Sequence, residues 1–275
     1  MDEETVKDHL SEIFMAMKTT YQVFAYGITD IGLVRQNNED YWAQVPELKF
    51  YVLADGMGGH RAGEVASREA VKALCEHFRQ TIAIAGPNLS IDEAHGLVQL
   101  SIEHANQAVY DLSKTDPELQ GMGTTICCLY CHSKGIIYAH VGDSRIYRLH
   151  NHKLEQLTKD HSLLRELVDM GQIDEYTAED FLYKNIITKA VGTERSIDPS
   201  VHICDVKNHD IFFMCSDGLS DMLTLKEMEK VVLENPSIES AAKILVDQAK
   251  AKGGLDNITV VIIKIDELNE KSLSR

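Results

Sequence analysis

The chain has 275 residues, 27 Lys and Arg against 43 Asp and Glu, a formal net charge of −16 and 44% hydrophobic content. That content is ample for one large domain or two small ones, while the acidic balance argues against nucleic acid or an anionic membrane as main partner, since both need clustered Lys and Arg. No stretch reaches the roughly 18 apolar residues of a membrane span, and Met1-Asp2-Glu3-Glu4 lacks the basic start of a secretion signal, so the expected location is cytoplasmic.

Residues 1–20 place Val6, Leu10, Ile13, Phe14 and Met17 at helical spacing, which predicts an amphipathic helix that either docks on its own domain or binds a partner. Strands are expected at about 21–29, 39–45 and 49–55, then long helices over 62–85 and 91–113 separated by Gly86-Pro87-Asn88. Three short β-rich segments, Thr124–His132, Gly135–His140 and Arg145–His150, suggest an antiparallel meander. The polar stretch 158–184 has few apolar anchors and reads as a surface flap. Strands near 201–206 and 210–216, helices over 224–233 and 237–252, and a last strand at 257–265 complete the order. No internal repeat or low-complexity linker breaks the chain, so one domain over 21–268 is expected, with a tail at 269–275.

The six cysteines lie mostly in apolar runs and read as buried, reduced thiols. Cys127-Cys128, Cys131 and His132 resemble half a zinc site, but alternation along a strand sends Cys127 and Cys131 to one face and Cys128 to the other.

Aspartates stand where apolar runs end or begin: Asn38-Glu39-Asp40, Asp55-Gly56, Asp217-Gly218 and Asp256-Asn257. Carboxylates gathered at strand ends repel one another and protonate unless something cationic joins them. Divalent metal resolves this, and hard oxygen donors favour magnesium or manganese over zinc or copper. The stretch from Ala54 to Glu64 passes from a strand through Gly56, Gly58 and Gly59 into a helix, yet it lacks the third glycine of a dinucleotide loop and the Gly-Lys-Ser/Thr of a phosphate loop. Arg35, five residues before Asp40, offers a planar fork suited to phosphate; alone it would read as a surface salt bridge.

Six motifs then occur in order: Thr29-Asp30-Ile31-Gly32-Leu33-Val34-Arg35 through Asn38-Glu39-Asp40, Asp55-Gly56-Met57-Gly58-Gly59-His60, Gly123-Thr124-Thr125, Val141-Gly142-Asp143-Ser144-Arg145, Ser216-Asp217-Gly218 and Asp256-Asn257-Ile258-Thr259. Together they resemble the bacterial branch of the PPM, or protein phosphatase 2C-like, family over roughly residues 22 to 265. The resemblance implies an α+β fold: a four-layer α-β-β-α sandwich of two mainly antiparallel sheets flanked by helices, with metals in a cleft at one edge. It implies that Asp55 bridges two metals, that the Gly56 carbonyl binds one and Asp217 and Asp256 the other, and that Glu39 and Asp40 hold metal-bound waters. Arg35 would grip the phosphate, and Asp143 with Asp217 would complete a third, weaker site. Two ions about 3.5–4 Å apart can share a water, lower its pKa and place hydroxide in line with phosphorus, so no phosphoenzyme is required.

His60 departs from the pattern of the family's eukaryotic members, where a histidine directly follows the Asp-Gly pair; here Met57 takes that place. Three roles stay open: His60 as general acid, a metal-bound water in its stead, or His60 as a helix cap without chemistry. Cys215 lacks the arginine of a cysteine phosphatase, because Asp221 stands at that position. His161, in Thr158-Lys159-Asp160-His161-Ser162, is accounted for by capping at Asp160 or Ser162.

The expected function is hydrolysis of phosphoserine and phosphothreonine in proteins by a cytoplasmic, monomeric signalling phosphatase with two or three Mg2+ or Mn2+ ions, its substrates including a cognate Ser/Thr kinase. The alternative is a non-catalytic phosphoprotein-binding or scaffold module of the same fold.

Overall fold

The computed structural model describes residues 21–58, 62–86, 88–174 and 186–267. The expected N-terminal helix, the tail at 269–275, His60 and much of the flap lie outside the described residues.

Continuous apolar runs such as Phe50–Ala54 and Ile211–Cys215 need cover on both strand faces, and the fold supplies it by stacking two sheets. In chain order, β1 (Tyr21–Asp30), β2 (Asp40–Val45) and β3 (Phe50–Met57) precede helices α1 (Ala62–Ala85) and α2 (Ile91–Leu112). Next come β4 (Gly123–Thr124), β5 (Ile126–His132), β6 (Gly135–Val141), β7 (Arg145–His150) and β8 (Lys153–Gln156). The remainder is α3 (Leu163–Asp169), β9 (Ser200–Cys204), β10 (Ile211–Cys215), α4 (Asp217–Ser220), α5 (Leu225–Glu234), α6 (Ile238–Ala251) and β11 (Ile258–Glu267).

One sheet runs β1-β11-β10-β7-β8; the other runs β2-β3-β5-β6-β9, with β4 added on β3. Every pairing is antiparallel. Period-two alternation divides the side chains among three apolar layers. Leu53, Cys127 and Leu129 meet Ile146, Phe212, Met214 and Val261 between the sheets. On the outer faces, Val52, Ala54, Cys128 and Tyr130 pack on α1 and α2, while Tyr147, Phe213, Cys215 and Val260 pack on α4 to α6. The result is the expected α-β-β-α sandwich. All six cysteines are free, and Cys127 and Cys128 do go to opposite faces.

Local chemistry sets the helix ends. Ser90 and Glu93 form a capping box at α2, and Thr224 and Glu227 repeat it at α5. Small residues at Ala62, Gly63 and Ala66 let α1 start against β3, so closely that a Cβ on Gly56 would lie 2.0 Å from the Gly63 carbonyl oxygen.

Two expectations for the middle of the chain need correction. The strand expected over Thr124–His132 breaks at Thr125, whose N–H and Oγ1 both engage the Asp55 main chain. The meander also fails, because β7 leaves β6 and pairs with β10 in the opposite sheet. The crossing is made at Gly142, at φ +99, where a Cβ would meet Thr125 Cγ2 at 2.6 Å. It carries Asp143 to the sheet edge where Asp55 stands. β8 was not foreseen; it follows β7 through a two-residue turn with Asn151 and His152 at φ 49 and 61.

Candidate metal centre

The carboxylates converge because the ends of several strands share one edge of the sandwich. Asp40 opens β2 and pairs in register with Asp55 on β3. Asp217 begins α4 directly after β10, Asp256 stands just before β11, and Asp143 sits in the β6–β7 crossing.

Asp40 is the most enclosed of them. Its Oδ2 accepts hydrogen bonds from Ser216 Oγ at 2.7 Å and Thr259 Oγ1 at 2.6 Å, which ties the two sheets together, while its buried Oδ1 has no partner. Burial raises its pKa to about 6 despite the two hydroxyls, and Asp256 adds to the rise. Asp217 also has a buried, unpartnered Oδ1. Its pKa is raised to about 8 by burial and by the charges of Asp143, Asp256, Asp221 and Asp40. Asp55 is pushed well above the carboxylate range by burial and then by Asp40, Asp217, Asp143 and Asp256. Asp143 rises to about 6, through burial and the nearby Asp160. Asp55, Asp143 and Asp217 keep part of their surface open to solvent, so the cleft is reachable.

Arg35 reaches the same edge. Its Nη2 lies 2.6 Å from Asp256 Oδ2, and both side chains remain partly exposed. Glu39 accepts the Gly56 N–H on its carbonyl at 3.0 Å, and its Oε2 lies 2.4 Å from where a Cβ on Gly63 would stand, over the start of α1. Burial raises the Glu39 pKa, against the pull of Arg35.

Two contributors escaped the sequence reading. Asp221 follows Asp217 by one helical turn and raises the pKa values of both Asp217 and Asp143; the i, i+4 spacing was its signal. Asn257 is the organiser of the 31–39 loop: its Oδ1 accepts the Glu39 N–H at 2.8 Å, and its Nδ2 donates to the Ile31 and Asn37 carbonyls at 3.0 and 2.9 Å. Conversely, Cys215 is buried with its thiol pKa raised by burial, so it is core rather than nucleophile.

Among the described residues no three His, Cys, Asp or Glu side chains are drawn together tightly enough to cage an ion, and Asp256 leans on Arg35. The donor set nevertheless fits a hard divalent cation. Mutually repelling carboxylates surround two orphaned, buried oxygens, and among the described residues the cations acting on the cluster are Arg35 at the rim and Arg145 beside Asp143.

Comparison with known proteins identifies the family and the fold. The family model described as protein phosphatase 2C matches residues 33–252. The serine/threonine phosphatase stp of Listeria monocytogenes is 36% identical over 241 residues, covering 86% of this chain and 94% of that protein. The crystal structure of serine/threonine phosphatase Stp1 from Staphylococcus aureus superposes with a TM-score of 0.83 at 32% identity, over 91% of this chain and 98% of that one. The catalytic domain of the serine/threonine protein phosphatase PstP, solved in complex with two manganese ions, gives 0.78 at 31% identity, over 90% of this chain and 100% of that one. With a family match over most of its length, relatives above 30% identity and the same fold in solved structures, the chain belongs to the protein phosphatase 2C family.

Proposed function

We infer that the chain is a metal-dependent protein serine/threonine phosphatase that uses Mg2+ or Mn2+. The observation that carries the reading is the pair of orphaned buried oxygens, on Asp40 and Asp217, within a carboxylate cluster bordered by Arg35. Asp55 would bridge two ions, the Gly56 carbonyl would hold one, and Asp217 and Asp256 the other. Asp143 would join Asp217 at a third ion, and Glu39 and Asp40 would act through water. When bound, the ions supply an activated water and neutralise charge that develops on the phosphoryl oxygens. Arg35 orients the phosphate by presenting two N–H donors to two of its oxygens, and its single Nη2 bond to Asp256 leaves other donors of the five to do so. Asn257 keeps Arg35 and Glu39 at the cleft through its three hydrogen bonds to the 31–39 loop.

A scaffold without turnover is disfavoured, because degenerate sites lose ligands and every expected carboxylate is present. The assignment of His60 as proton donor is kept as a proposal. We also propose a monomer acting in the cytoplasm, where six free cysteines stay reduced, with a cognate Ser/Thr kinase among its substrates.

The test is phosphate release in Mn2+ from matched phosphothreonine, phosphoserine and phosphotyrosine peptides, with p-nitrophenyl phosphate as a chromogenic control. Turnover of the first two is expected. No turnover of any substrate would support the scaffold, and turnover confined to phosphotyrosine would overturn the substrate class.

A further inference from the structure

Outside the carboxylate cleft lies a second group of enclosed side chains that the chemistry above does not use. His140, on β6, and His161, two residues before α3, stack with ring centroids 4.4 Å apart and planes 17° apart. His161 holds the Gly142 peptide from both sides: its main-chain N–H donates to the Gly142 carbonyl at 2.9 Å, and its Nδ1 accepts the Gly142 N–H at 3.2 Å. An accepting Nδ1 puts the ring proton on Nε2, which donates to Ser200 Oγ at 3.0 Å. Burial, His140 and Lys189 lower the His161 pKa to about 3, so the ring that makes these contacts is neutral.

The preceding residue completes the grip. Asp160 takes Arg145 in a forked pair, with Nε at 3.1 and 3.0 Å from its two oxygens and Nη2 at 2.7 Å. Residues 160 and 161 therefore hold 145 and 142, the two positions that bracket Asp143 and Ser144. Ser144 Oγ in turn lies 2.7 Å from Thr125 Oγ1, which receives the Asp55 N–H at 2.9 Å. The far side of the clamp belongs to the base of the flap: Thr188 N–H donates to the His161 carbonyl at 2.8 Å, and Ser162 pairs with Ile187. Ser162 accepts the Arg165 N–H as the cap of α3, so capping falls to Ser162 and leaves His161 to the loop.

We propose that His161 is a positioning residue for Asp143: it fixes the crossing loop that presents this carboxylate to the cleft and links that loop to the base of the 158–184 flap. The proposal rests on the reading of Asp143 as ligand of a third, weaker cation. A ring that only filled the core would need no hydrogen bond to Gly142, whereas this one accepts its N–H while the His161 main chain takes its carbonyl, so both polar groups of the residue before Asp143 are held.

The test counts Mn2+ by the EPR signal of the free ion, with thermal melting as a check on folding. In His161→Ala the weakest Mn2+ site should lose about 10–100-fold in affinity, the range for losing a group that orients a ligand. Phosphopeptide turnover should then fall at limiting Mn2+ and recover at high Mn2+, with KM unchanged. His161→Asn, whose Oδ1 can still accept the Gly142 N–H, should recover most of the affinity, and it serves as the working variant should the alanine form fail to fold. Ser200→Ala keeps both bonds to Gly142 and should bind Mn2+ as the wild type does. In an Asp143→Asn background, His161→Ala should change Mn2+ binding no further. Unchanged Mn2+ affinity in folded His161→Ala, or an equal loss in the Asp143→Asn background, would overturn the proposal. Failure of the wild type to bind Mn2+ or to turn over substrate would instead overturn the phosphatase reading itself.

Discussion

Asp217→Asn should stabilise the metal-free protein while removing its response to metal. Asp217 has a pKa near 8 in the fold against 3.8 ordinarily, so at pH 7 the fold holds it mainly protonated, at a cost of about three pKa units, or roughly 4 kcal/mol. The cleft is partly solvated and the carboxylates share protons, so about half of that, ~2 kcal/mol, belongs to this side chain. A neutral amide escapes the penalty but leaves a buried polar atom unsatisfied, at a cost of about 1 kcal/mol. The balance is near 1 kcal/mol of added stability, a rise in Tm of roughly 2–4 °C for a domain of this size. The sign follows from a raised carboxylate pKa: the penalty is absent below the unfolded value, grows as pH rises from about 4 to 8, and is constant above. Scanning calorimetry in chelator at pH 5 and pH 8 measures it, and the advantage of Asp217→Asn should widen at the higher pH. In saturating Mn2+ the order should invert, since ligand at about 100 times Kd adds ~2.7 kcal/mol to the wild type alone. A metal-free variant that melts below the wild type at pH 8, or a difference independent of pH, would refute the electrostatic account.

Arg35→Ala should raise KM for phosphopeptides about 10–100-fold, the loss of two charge-assisted hydrogen bonds; its exposed pair with Asp256 means that Tm should hardly move. Unchanged steady-state kinetics would return Arg35 to a surface ion pair. Thr259→Val removes the 2.6 Å bond to Asp40, should cost roughly 1–3 kcal/mol by urea denaturation and should weaken Mn2+ binding; an unaltered urea midpoint would contradict the role given to Asp40 in joining the sheets. Gly218→Ala places a Cβ 2.0 Å from the Asn257 carbonyl oxygen, so about 1–3 kcal/mol of stability should be lost together with Arg35-dependent affinity, whereas a neutral outcome would mean that the α4 and β11 ends are not locked.

What could be read directly from the chain was whatever depends on near neighbours. Apolar runs that stop at Asp55, or just short of Asp217, marked strand ends, and Gly86-Pro87-Asn88 marked the break between two long helices. The crossing of β7 into the opposite sheet could not be read, since Val141-Gly142-Asp143-Ser144 looks like a hairpin turn until β10 claims β7 as a neighbour. The same holds for side-chain ties over long separations. Arg35 meets Asp256 across 221 positions and Asn257 meets the Ile31 carbonyl across 226, so their partners are set by packing rather than by local pattern. His161 shows the converse, for its cap-like surroundings hid contacts that form only once the crossing loop is in place.

The central claim is that this carboxylate edge hydrolyses protein phosphomonoesters through bound divalent metal. It is tested most directly by following phosphate release from a phosphothreonine peptide during a Mn2+ titration of chelator-treated protein, with bound Mn2+ counted in the same samples. The account predicts no release in chelator and a rise that tracks occupancy by at least two ions; full release in chelator, or none at saturating Mn2+, would contradict it.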